Sequence, residues 1–362
     1  MNMQILIWGR YGNYGPDYPR NRVIESILRA QGHEISRFLP ALSWLADWEY
    51  SLRGGSVPDL IWVPCFRQRD LAAAARYARR HKIPLVFDPL ISAYDKRVNE
   101  RQKFAASSTK AKRLLAWESG LFQQADWLIA DTIGHADYFV DTFGVSRERV
   151  VVVPVGAEEA IFTPQPWPAK AHDAPLELTF FGTFIGLQGV DVLAQAILQY
   201  EGPPVRWRLI GEGPMRAECE SVLAHLRVEA PGAGVSFEPW GPLHELPSRL
   251  ASSDAILGIF GGSAKAQRVI PNKVYQGLAI GRPVITASTD AYPDVLRVSE
   301  ANGLFWALPG EALSIVQAVM RLHQYRESLG DIGVAARAVY EQCFSNEVLA
   351  KQIALLLSTI KK

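Results

Sequence analysis

Residues 271–285 read Pro271-Asn272-Lys273-Val274-Tyr275-Gln276-Gly277-Leu278-Ala279-Ile280-Gly281-Arg282-Pro283-Val284-Ile285. Pro271 is well placed to open a helix, because its ring fixes a helical φ and its missing N–H has no partner to lose there. Residues 283–286 read as a short strand. The same alternation runs outward in both directions. Strands are predicted at 176–181, 206–210, 235–237, 255–258 and 303–306 around that stretch, and at 5–8, 34–38, 59–63, 85–88, 127–130 and 150–153 in the first half. Helical patterns separate them, for instance 21–30, with Pro16 and Pro19 delaying its start, and 70–81. Strand–helix alternation of this kind predicts α/β architecture with parallel sheets, one in each half. Around 162–175 the chain turns Pro- and Ala-rich and loses its period, as an interdomain linker does, and residues 347–360 form a last amphipathic helix.

Composition bounds the function. The 362 residues are 48% hydrophobic and 21% charged, enough apolar material for two cores. A formal net charge of +1 gives no global field for nucleic acid. Cys65, Cys219 and Cys343 form no CxxC pair, which suits reduced thiols and implies neither a disulfide framework nor zinc. With no secretory h-region and no apolar run of spanning length, the sequence predicts a cytoplasmic protein, at most peripheral at the inner face of the membrane.

In doubly wound sheets ligands bind beyond the carboxyl ends of the strands, so the loops there carry the candidates. After the first strand comes Gly9-Arg10-Tyr11-Gly12-Asn13-Tyr14-Gly15-Pro16, whose glycines admit phosphate or sugar oxygens but lack dinucleotide spacing. A second loop, Gly182-Thr183-Phe184-Ile185-Gly186-Leu187-Gln188-Gly189, runs into a helix. A third, Gly261-Gly262-Ser263-Ala264-Lys265-Ala266-Gln267-Arg268, brings cations to the helix that Pro271 opens, which makes an anion site.

Together these segments resemble the family 4 glycosyltransferases of the GT-B fold. The stretch 271–285 carries the resemblance most specifically, supported by Leu209-Ile210-Gly211-Glu212-Gly213-Pro214, by Val153-Pro154-Val155-Gly156-Ala157 and by Phe162-Thr163-Pro164. The resemblance implies two Rossmann-like domains facing a cleft: 1–163 for the acceptor, with helix 345–362 crossing back onto it, and 175–344 for the donor. It implies a nucleoside diphosphate sugar, UDP- or GDP-linked, as substrate rather than cofactor, no metal, and transfer with retention. Gly12, Gly182, Gly211, Gly213, Gly262, Asn272 and Gln276 are the implied donor contacts. Where many members place Arg and Lys on the diphosphate, this chain has Thr183 and Gln188. Where they carry a Glu-x7-Glu pair, it has Arg268 and Gln276. Lys265, Arg268 and Lys273 are therefore expected to supply the phosphate charge, Arg268 and Lys273 as catalytic groups.

Asp88, expected as a catalytic group, and Asp95, expected to contact the acceptor, follow the fourth strand, where the resemblance implies a His that contacts the transferred sugar or acceptor, although Asp before Pro is equally a turn and capping device. Tyr14 and His135 are further acceptor candidates, His135 reading as readily as a surface helix residue. The acceptor itself is not legible. The stretch 96–113 holds Lys96, Arg97, Arg101, Lys103, Lys110, Lys112 and Arg113, followed by Leu114, Leu115 and Trp117. It suits a solvated face, an anionic acceptor or peripheral membrane contact. The competing function is a nucleotide-sugar-binding protein without turnover.

Overall fold

The computed structural model describes residues 2–9, 18–101, 103–228, 232–297 and 300–360. Two compact α/β units result, Met1–Gly156 with Asn346–Lys362, and Ala157–Ser345. In the first, β1 (Gln4–Trp8), β2 (Glu34–Phe38), β3 (Leu60–Val63), β4 (Leu85–Phe87), β5 (Trp127–Ala130) and β6 (Val150–Val152) form one sheet in the order β2-β1-β3-β4-β5-β6. All its pairings are parallel. Alternate residues point to opposite faces. Leu6, Trp8, Ile61, Val63, Leu85 and Phe87 join one core, and Ile5, Ile7, Leu60, Trp62 and Val86 the other. Because both faces are buried there, the central strands β3 and β4 read as continuous apolar runs, whereas the edge strand β2 carries exposed Glu34, Ser36 and Arg37.

The second face is closed by the end of the chain. Helix Asn346–Ile360 lays Leu349, Ile353, Leu356 and Leu357 against Ile24, Ile27 and Leu28 of helix Pro19–Ala30. Gln31 Nε2 donates to the Ala350 carbonyl at 2.7 Å. Pro19 was expected to delay its helix and instead opens it, occupying the first turn where no N–H is needed.

The second unit holds β7 (Leu176–Phe181), β8 (Val205–Ile210), β9 (Gly234–Glu238), β10 (Ala255–Leu257), β11 (Val284–Ala287) and β12 (Leu304–Ala307). Their order is β12-β11-β10-β7-β8-β9, again all parallel. Strand order reverses between β10 and β7, so the connections leaving these neighbours run to opposite sides and open a crevice at their carboxyl ends. In the first unit the reversal falls between β1 and β3.

Residues 162–175, read as a linker, are fastened to the second unit. Gln165 N donates to the Ile280 carbonyl at 3.0 Å, and Lys170 pairs with Asp254 at 2.6 Å. Arg282 is the centre of this seam: it donates to the carbonyls of Gln165 at 3.1 Å, Pro166 at 2.6 Å and Ala251 at 2.7 Å, and stacks 4.8 Å from the Trp167 ring centroid. Burial pulls its guanidinium down to about 10, and it has no carboxylate in hydrogen-bonding reach among the described residues. Arg282→Leu orphans these carbonyls and should cost about 2–4 kcal/mol in urea unfolding, with Arg282→Lys recovering only part because an ammonium lacks the planar fork. A change below about 0.5 kcal/mol contradicts this account of the seam.

Candidate functional site

The crevice of the second unit is built by glycine. From β7 the chain enters Gly182 and reaches Gly189, which has φ +67° and precedes helix Val190–Leu198. Phe260 N donates to the Gln188 carbonyl at 3.0 Å, tying the loop after β10 to the loop after β7. A Cβ on Gly189 would lie 2.4 Å from Gly261 N, and one on Gly211 2.0 Å from the Gly182 carbonyl oxygen. A Cβ on Gly213 would sit 2.6 Å from Phe184 N. Backbone meets backbone here, so only glycine fits. Gly211 and Gly213, expected as donor contacts, are accounted for by this loop packing.

Into the crevice reaches Lys273, the second residue of helix Asn272–Ala279. Its Nζ donates to Gln188 Oε1, lies 3.8 Å from the Phe180 ring centroid, and stands 2.9 Å from where a Cβ on residue 182 would be. The side chain is 4% exposed. Among the described residues no carboxylate lies within ion-pair distance, and burial draws its ammonium well below the usual lysine range. The ring face stabilises a cation but does not neutralise it. A buried cation at a helix start, beside tightly turned backbone, fits an anionic group carrying several oxygens.

Lys273, Gln188 and Gly182 therefore converge. Thr183 is exposed at the mouth of the same loop. Lys265, buried, and Arg268, half-buried, belong to the turn preceding the helix, Gly262 is exposed ahead of it, and Asn272 is half-buried at its start. Gln276 is buried one turn beyond Lys273. Phe180 carries no signal in the sequence, where it is one more apolar strand residue.

In the first unit the acceptor candidates are internal. Asp88 is wholly buried and paired with Arg20 at 2.7 Å, while Arg20 also donates to the carbonyls of Val153 and Pro154, each at 2.9 Å. Burial raises the Asp88 carboxyl, and the Arg20 charge opposes that shift. Among the described residues, Asp88 Oδ1 and Arg20 Nη2 have no hydrogen-bond partner. His135 is not a surface residue: it is buried, with Nδ1 against Asp131 Oδ1, its ring stacked on Phe139 and its N–H bound to the cap Thr132 at 3.1 Å. Asp95 is buried and accepts from Asn99 at 2.7 Å. Gly12 and Tyr14 lie outside the described residues. The basic stretch 96–113 divides between a π-helix, Asp95–Glu100, with the residues after it, and helix Thr109–Phe122. An unforeseen feature lies at 43–52, where Trp44, Trp48 and Leu52, four residues apart, are 68%, 59% and 83% exposed. The sequence signal was that spacing.

Comparison with known proteins agrees with this architecture. Residues 13–156 match the model of the glycosyl transferase 4-like domain, and residues 175–325 that of the glycosyl transferases group 1. The chain belongs to the group 1 glycosyltransferases, family 4-like, of the GT-B fold. Among particular relatives, the amylovoran biosynthesis glycosyltransferase AmsK of Erwinia amylovora is 25% identical over 224 residues, 60% of this chain and 52% of that protein. The chain thus spans about half the length of that curated relative. HepE of Anabaena, in complex with UDP, superposes with a TM-score of 0.70 at 17% identity over 99% of this chain and 100% of that one. The sucrose-phosphate synthase of Thermosynechococcus elongatus does so at 0.71 and 14% identity, over 99% and 98%.

The burial of Lys273 has a measurable consequence for stability. Its folded-state affinity for a proton is depressed, so between that lowered value and 10.5 the unfolded chain holds more protons. Stability should therefore rise with pH through that window, and the full penalty should be present below it. Lys273→Met should remove that contribution to the slope and add about 1–3 kcal/mol at pH 7 in urea unfolding. A Met variant that is less stable than the parent, with the parental slope, contradicts the uncompensated charge.

Proposed function

We propose that this chain transfers a sugar from a nucleoside diphosphate sugar to a cell-envelope or glycoconjugate precursor, with retention and without a metal ion. The observation that carries the reading is the uncompensated ammonium of Lys273 in the crevice at the β7/β10 reversal. A donor diphosphate supplies the missing negative charge. Gln188, standing where many family members have a cation, orients the ammonium instead of adding to it. As the glycosidic bond breaks, charge grows on the leaving diphosphate, and a preorganised cation stabilises that growth. Arg268 is assigned to the outer phosphate and Gln276 to ribose hydroxyls. Family membership supports retention, and UDP in the HepE complex favours a uridine donor over a guanosine one.

The acceptor is assigned to the first unit, whose loops after β3 and β4 stand at carboxyl strand ends. The buried Arg20–Asp88 pair and the Asp131–His135 contact give Asp88 and His135 positioning roles beneath those loops. A non-catalytic binder remains the competing reading, favoured by Thr183 and Gln188 in place of charge. Donor hydrolysis decides between them. Wild-type protein should hydrolyse one radiolabelled UDP- or GDP-sugar slowly without acceptor, and Lys273→Ala should slow this about 30- to 200-fold while weakening donor binding less. Gln276→Ala should chiefly weaken binding. Tight binding of one donor with no hydrolysis supports the non-catalytic reading.

Among the described residues no helix is long and apolar enough to cross a membrane. We also propose peripheral contact with anionic lipid. Helices Ala46–Leu52, Gln68–His81 and Thr109–Phe122 pack in succession over one face of the first sheet. With the turn Ser43–Leu45 ahead of the first, they expose Trp44 and Trp48, then Arg76 and Arg80 above buried Asp47, then Lys112, Arg113 and Trp117. Exposed indoles beside outward cations suit a headgroup layer. Charge reversal of Lys110, Lys112 and Arg113 to Glu, or Trp44→Ser with Trp48→Ser, should each abolish sedimentation with phosphatidylglycerol vesicles and spare donor hydrolysis. Equal sedimentation of parent and variants removes the membrane from the account.

A further inference from the structure

The first unit contains a cavity of about 310 Å³ beyond the carboxyl ends of β3 and β4, lined by Phe66, Ser92, Lys96, Arg97, Arg101 and Lys103 among others. Among the described residues, four cations and no carboxylate line it. The nearby acids are occupied: Glu118, fully buried, accepts from Ser92 Oγ at 2.7 Å, Ala93 N at 2.6 Å and Tyr94 N at 2.7 Å, and Asp95 accepts from Asn99 at 2.7 Å. Glu100 stands 3.8 Å from Arg101 Nε, beyond hydrogen-bonding reach.

The walls are shaped at a conformational cost. Phe66 and Leu90, in the loops that follow β3 and β4, adopt φ +64° and +57°, and three non-glycine residues in all do so among the described residues. Left-handed backbone at bulky residues persists only where the surroundings impose it. The cations come from the wide turns of the π-helix Asp95–Glu100 and from the residues directly after it. Glu118 pins the other wall from beneath. A concave, cation-lined space admits a compact polyanion, whereas a flat lipid surface meets convex helices such as Thr109–Phe122.

We propose that this cavity binds the phosphate or diphosphate group of a phosphorylated acceptor. The proposal rests on the glycosyltransferase reading and deepens its acceptor side. Arg97, Arg101 and Lys103 are exposed enough to reach an entering ligand, and Lys96 is half-buried at the base. Holding the acceptor by its phosphate fixes the end remote from the reacting hydroxyl, which orients that hydroxyl without using cations needed by the donor.

Calorimetric titration of inorganic pyrophosphate into protein saturated with UDP tests the site. A second anion site should appear, and Arg97→Gln with Lys103→Gln should weaken it at least about tenfold. Lys110→Gln, Lys112→Gln and Arg113→Gln together should leave it unchanged. No pyrophosphate binding, or equal loss in both variants, overturns the proposal. So does a protein whose Arg97 and Lys103 govern sedimentation with phosphatidylglycerol vesicles while pyrophosphate does not bind, because the cations then serve a lipid headgroup. If UDP itself does not bind, the uridine donor reading fails separately, and the same titration on the Lys273→Met protein still scores the cavity.

Discussion

An ammonium buried without a carboxylate is the constraint on which the second unit turns. Removing a charge from water without a counter-ion costs several kcal/mol, more than one amide contact and one aromatic face return. Lys273 is nevertheless held there, with Gln188 on one side, Phe180 beneath and Gly182 in contact. The glycines at 189, 211 and 261 each allow one loop backbone to pass against another, and Gly182 leaves room for the Lys273 ammonium itself. The parallel sheet supplies the place, because only the β7/β10 reversal separates two adjacent loops enough to leave a crevice. Stability given up at such a point is regained when an anion binds.

The first unit handles charge in the opposite manner. Arg20 and Asp88 are paired and buried, and Arg20 also binds two carbonyls that follow β6, so the guanidinium fastens the ends of β4 and β6 together. Glu118 does likewise for the loop after β4. These interior groups hold the walls, while Arg97, Arg101 and Lys103 are exposed. The same division explains why Asp88, conspicuous in sequence, is a support for the site's wall: its ionised form depends on Arg20, and its burial keeps it from bulk water.

Much of this was legible in the sequence for a definite reason. Strands buried on both faces give apolar runs such as 60–63 and 85–87, and these stand out between helical patterns. The Pro271 to Ile285 stretch pointed to the helix that carries Lys273, and the loss of charge at Thr183 and Gln188 pointed to a neighbouring cation. What failed was long-range. The pairing of Asp88 with Arg20 spans 68 residues and leaves no local pattern. His135 is a local exception: its partners Asp131 and Phe139 stand four residues to either side, and only its burial, which appears on folding, left no mark. Residues 162–175 looked free because prolines hide backbone pairing, while their anchor, Arg282, comes more than a hundred residues later.

On the proposed reading, the donor diphosphate holds Lys273 in its charged form. Burial without a counter-ion leaves the ammonium readily deprotonated, and an adjacent diphosphate restores its proton affinity. Binding of UDP at about pH 9 should therefore take up a proton, read as a dependence of the calorimetric enthalpy on the ionisation enthalpy of the buffer. Wild-type protein should take up a proton on binding and Lys273→Met should take up none. Equal enthalpies in all buffers for the wild-type protein, or the same uptake in both proteins, would contradict that reading.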